Sequence, residues 1–114
     1  MEIRGHQYKA AQGIATISGT TSGQTVIAGI AGKTLYLNYI TISLADNADG
    51  TGELTDGDGG TIFWKQEVTS SPVPSGYLLD YGEYGLALTE GNGLFATTSV
   101  TTLDYVITAL GYYK

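Results

Sequence analysis

Apolar and polar positions alternate along this chain over short runs, and the runs end at glycine, proline or acidic clusters. This is the two-residue period of strands; no three- or four-residue period persists for longer than a helical turn. Residues 14–18 (IATIS), 24–28, 34–44, 51–55, 61–68, 77–81, 84–88, 94–99 and 103–113 read as strands or extended segments. DGDGG (56–60) is a hairpin signal, EGNG (90–93) is a turn, and SSPVPSG (70–76) is a loop because Pro72 and Pro74 cannot serve a central strand. Turns recur about every 8–12 residues, the spacing of a β-sandwich or barrel.

The longest apolar-rich run, Thr25 to Leu44, reads TVIAGIAGKTLYLNYITISL. Lys33 and Asn38 interrupt it, so it lacks the roughly 20 apolar residues of a membrane span. A helix would hold Gly29 and Gly32 in its interior at about 1 kcal/mol each. The β-branched residues favour two strands joined by a type II turn, Ile30-Ala31-Gly32-Lys33, with Gly32 at the position that needs positive φ. Leu35 and Leu37 share one parity, whereas Ile40, Ile42 and Leu44 share the other. Strand side chains alternate strictly, so a β-bulge or a change of sheet is predicted near Asn38-Tyr39.

Two further strands carry a facing prediction. In 61–68, Ile62, Trp64 and Val68 are placed on one side, with Lys65 and Glu67 on the other. The last strand is apolar on both sides: Leu103, Tyr105, Ile107 and Ala109 on one, Val106, Leu110 and Tyr112 on the other. A central strand covered on both sides would explain this, and so would a subunit interface; because a sandwich leaves one face of each sheet outside, the interface is favoured.

Composition narrows the class. A chain of 114 residues fits one domain with a real core. Seventeen glycines and nine tyrosines suit tight turns and half-buried pleated surface. With no cysteine, a disulfide scaffold, a thiol nucleophile and a cysteine-based zinc site are excluded. Five basic against eleven acidic residues give a net charge of −6, which repels a phosphate backbone, so no nucleic-acid partner is expected. No membrane partner is expected either, and MEIRGHQYKAAQG at the start does not read as a signal peptide.

The segment 46–60 (DNADGTGELTDGDGG) holds Asp46, Asp49, Glu53, Asp56 and Asp58 and invites a calcium reading. Aligned as an EF-hand loop it has Ala45 at the first ligand position and no flanking helices, so that reading fails. Asp46, Asp49, Asp56 and Asp58 stay as weak candidates for a looser oxygen-ligand site; otherwise they are solvated turns. No cofactor is expected. His6 is the single histidine and lies in a polar arm without a nucleophile beside it, and no pair of acids is singled out, so no enzymatic activity is expected. Trp64, Tyr77 and Tyr81 could stack on sugar rings; packing in the core is the plainer reading.

With these elements placed, SGQTVIAGIAGKTLYLNYITISLA (22–45) resembles a module of small structural proteins of tailed-phage virions. In that family a short strand ends in apolar-Ala-Gly-Lys, here Ala31-Gly32-Lys33, before a long strand of alternating aliphatics. YGLALTEGNGLFATTS (84–99) and LDYVITALGYYK (103–114) match the later elements in order. The acidic hairpin at 46–60 and the stretch 70–84 depart from it. The resemblance implies an all-β, antiparallel sandwich of jelly-roll type with about eight strands. It implies a capsid decoration, cement or fibre-associated protein on the virion surface, a homo-oligomer with a trimer favoured, docked on the major capsid protein or another virion protein. Residues 13–114 would form the domain and 1–12 an arm reaching over a neighbour. Candidate contacts are Ile3, Arg4 and Tyr8 of the arm with Val106, Leu110 and Tyr112 of the last strand. The competing readings are a carbohydrate- or receptor-binding module and a calcium-stabilised adhesin-like domain.

Overall fold

The computed structural model describes residues 9–17, 23–44, 49–68, 76–100 and 103–114. Ile3, Arg4, His6, Tyr8 and Asp46 lie outside the described residues. Nine strands follow one another: β1 (Lys9–Ile17), β2 (Gln24–Ile27), β3 (Leu35–Leu44), β4 (Gly50–Asp56), β5 (Thr61–Val68), β6 (Gly76–Asp80), β7 (Leu86–Ala87), β8 (Leu94–Thr98) and β9 (Tyr105–Tyr113). One sheet has the order β1-β9-β3-β6, with the two-residue β7 also pairing β3; the other has the order β2-β8-β4-β5. Every pairing is antiparallel. Setting β7 aside, the chain crosses between two four-stranded sheets at every connection except the β4-β5 hairpin, which is the order of a jelly roll, two Greek keys wrapped into one sandwich.

Alternation builds the core. Ile17, Leu35, Leu37, Ile40, Ile42, Tyr105, Ile107 and Ala109 point inward from the first sheet and meet Leu54, Leu94 and Ala96 of the second; all are buried. Removing each such large aliphatic from water contributes about 2 kcal/mol.

The predicted parity switch is a bulge. Leu37 pairs with Gly111 and Tyr39 with Leu110, so Asn38 is the extra residue and both Leu37 and Ile40 can face the core. Gly111 is required opposite it, because a Cβ there would lie 2.0 Å from the carbonyl oxygen of Tyr36. The predicted type II turn is also present: Gly32 has φ 79°, and the Lys33 amide donates to the Ile30 carbonyl at 3.0 Å.

Two expectations differ. β1 starts at Lys9, so residues 9–12 of the predicted arm pair with Tyr113 to Leu110. Small residues, Ala10 and Ala11, blurred the alternation there. In β5 the register slips between Leu54 and Thr55, whose partners are Trp64 and Ile62. The extra residue, Phe63, turns Ile62 outward to 45% exposure, away from the side of Trp64 where the sequence reading had placed it. The side chain of Val68 is outside the described residues.

Candidate functional site

The outward face of the β1-β9-β3-β6 sheet is the distinctive surface of the molecule. Registers place its side chains in rows across the four strands. One row is Ile14, Thr108, Thr41 and Leu78; the next is Gln12, Leu110, Tyr39 and Asp80. A third is Ala10, Tyr112, Tyr36 and Ala87, and a fourth is Thr16, Val106, Ser43 and Gly76. Ile14 (72% exposed), Leu78 (63%), Leu110 (45%) and Tyr39 (44%) stand here, four of the large apolar residues the described surface exposes.

Asp80 is the single charged residue of these rows. It sits on the outermost strand, and its Oδ1 accepts the Gly82 amide at 2.9 Å. Tyr36 and Tyr112 stack with centroids 5.0 Å apart and planes 5° apart, and the Tyr112 hydroxyl donates to the Tyr84 carbonyl at 2.8 Å. The pair stiffens the end of the face nearest the exposed ring of Tyr84. The opposite sheet presents charge instead: Lys65 lies 3.9 Å from Glu53, and Asp58 borders the same shallow groove as Glu53.

Val106, Leu110 and Tyr112 therefore share one outward face, the side on which the sequence reading places them, and no described element packs over it. That reading missed Ile14, Tyr39 and Leu78. Tyr39 follows once the bulge is fixed at Asn38, because every residue after it changes face. Ile14 and Leu78 have apolar neighbours in sequence, Ala15 and Leu79, so alternation could not say which of each pair faces out.

No group of three or more metal-binding side chains occurs among the described residues. Asp56 serves the fold instead. Its carboxylate accepts the Thr89 amide at 3.0–3.1 Å, the Thr89 hydroxyl at 2.8 Å and the Asn92 side-chain amide at 3.0 Å. Both oxygens are committed to holding the 89–92 turn against the end of β4. Asp58 is exposed at the hairpin tip.

Nor do the aromatics considered for sugars form a platform. Trp64 packs edge-on against Tyr77, centroids 5.7 Å apart at 62°, and Phe63 against Tyr81 at 6.5 Å and 88°. These rings join β5 to β6, the edge strands of the two sheets, and close the sandwich on that side. Tyr105, fully buried, donates its hydroxyl to the Thr97 carbonyl of the facing sheet. Burial, with a smaller contribution from the Glu53 charge, pushes its hydroxyl up to about 12. Burial also raises Tyr81 and Tyr113, and the latter donates to the Ala28 carbonyl at 2.6 Å. Among the described residues no helix is long and apolar enough to cross a membrane.

No protein-family model matches the chain, and no curated protein matches it. Among solved structures, the virus-like particle of extra small virus from the giant freshwater prawn Macrobrachium rosenbergii is similar, with a TM-score of 0.48 and 11% identity. That likeness covers 93% of this chain and 79% of the other. A likeness of that size assigns neither function nor partner, and the jelly-roll assignment rests on the chain's own strand order.

Proposed function

We propose that this chain is a non-enzymatic virion structural protein, a capsid decoration or cement protein that stabilises the head through subunit contacts. The observation that carries the reading is the outward face of the β1-β9-β3-β6 sheet, where the described residues place four large exposed apolar side chains and a single carboxylate at the rim. Large apolar side chains gathered on one exposed, nearly uncharged face are the mark of an interaction site in a folded domain. Jelly rolls serve viral capsids, but also lectins and cupins, so the fold alone does not choose among them. The order of elements shared with small tailed-phage structural proteins favours the virion. The packed rings of Trp64, Phe63, Tyr77 and Tyr81 disfavour a sugar platform.

Such a protein acts by mass action. A copy that binds only the assembled state stabilises it by about 2.7 kcal/mol when present at about 100 times its dissociation constant. Mass spectrometry of purified particles from the source of the gene tests the reading. Many copies of the chain per particle are expected. Absence from particles, with saturable binding on a glycan array, would overturn the proposal in favour of a sugar-binding module.

A further inference from the structure

Resting on the reading of this sheet as an interaction face, we infer that its occupant is a second copy of the same chain, packed face to face. Charge points to this partner. The chain carries a net charge of −6, so two copies repel one another on average. The rows through Ile14 and Leu110 contain no cation and only the peripheral Asp80, so they offer nothing complementary to a charged partner. This face is where two like-charged molecules can meet without placing charge against charge.

Shape agrees. The central row runs large, small, small, large: Ile14, Thr108, Thr41, Leu78. Ile14 and Leu78, at 72% and 63% exposure, flank a shallow threonine floor. A second sheet rotated by a two-fold axis can lay its own ridge residues over that floor, as the facing sheets of a sandwich interdigitate at about 10 Å. In plan the rows cover about 450 Å², from strand spacing and rise. Two such faces together bury about 900 Å², the scale of a weak, concentration-dependent association. Because the same patch meets itself, the closed product is a two-fold dimer, in place of the trimer that the sequence resemblance implies.

Sedimentation velocity over a concentration series tests this with the full chain. Wild type is expected to shift from monomer to dimer, and to do so more readily at high salt, where repulsion between acidic surfaces is screened. Thr41→Arg puts an unpaired cation on the exposed floor and should weaken association about 100-fold or more. Thr25→Arg, exposed on the other sheet, should leave it unchanged. Circular dichroism should show all three folded.

A wild type that stays monomeric but binds particles through this face would overturn the second copy and spare the functional reading. A Thr41→Arg chain that dimerises like wild type would overturn the assignment of the face itself.

Discussion

Asn38 donates its side-chain amide to the carbonyl of Gly82 at 2.7 Å, across 44 residues of chain. The same amide reaches the Glu83 carbonyl at 3.0 Å, and the Asn38 carbonyl accepts the Tyr81 amide at 2.8 Å. The bulge residue thus does two things. It switches the parity of β3, which sends Tyr39 to the outer face, and it ties down the turn between β6 and β7.

Asn38→Leu keeps the side-chain size and removes the donor. Two carbonyls then depend on water, at a cost of about 1–3 kcal/mol. Urea unfolding should show that loss, and hydrogen exchange should quicken at 82–85 while the core of β9 stays protected. Unchanged exchange in the turn would show that the amide does not hold it.

Asp56 should act as a structural clamp. Asp56→Asn keeps one acceptor but turns an amide toward Asn92, so a loss of about 1–3 kcal/mol is expected. Because both carboxylate oxygens are already taken by Thr89 and Asn92, the melting temperature of wild type should be the same with calcium or with chelator. A calcium-dependent rise that disappears in Asp56→Asn would restore the adhesin-like reading.

Much of this was legible in the sequence, and the reasons for success and failure are specific. The strands from β2 to β9, the Gly32 turn and the Asn38 bulge follow from alternation and turn chemistry, which are local. The candidate face was half legible. Val106, Leu110 and Tyr112 lie on a strand whose two apolar sides are unambiguous. Ile62 was misplaced because the Phe63 bulge leaves no mark in a run that is apolar at three successive positions. The role of Asp56 depends on Thr89 and Asn92, 33 and 36 residues away, and no local pattern announces it.

Alkaline pH should destabilise the domain through Tyr105. Its hydroxyl titrates near 12 in the folded chain against about 10 when unfolded, so the folded state favours the protonated form. That stabilisation is complete below about pH 10 and is lost as pH rises through about 12, a change of about 2–3 kcal/mol. Tyr81 and Tyr113 are raised as well and add in the same direction. Tyr105→Phe should be less stable at neutral pH by about 1 kcal/mol, having lost its bond to Thr97, yet show a shallower decline between about pH 10 and 12. An identical alkaline slope in the variant would remove Tyr105 from the account.

Trp64 fluorescence should be indifferent to glycans, because its ring packs against Tyr77 between the edge strands. Titration with a panel of oligosaccharides checks this, and saturable quenching would show that the ring is reachable by sugar.

The most direct test of the interface concerns Thr41, at the centre of the exposed face. The chain has no cysteine, so Thr41→Cys introduces a single thiol of nearly the same size. Its reactivity toward a maleimide should be high in the dilute monomer and strongly suppressed in assembled particles. Thr25→Cys, on the other sheet, should react in both. Equal labelling of the Thr41→Cys chain in monomer and particle would contradict the claim that this face is where the protein assembles.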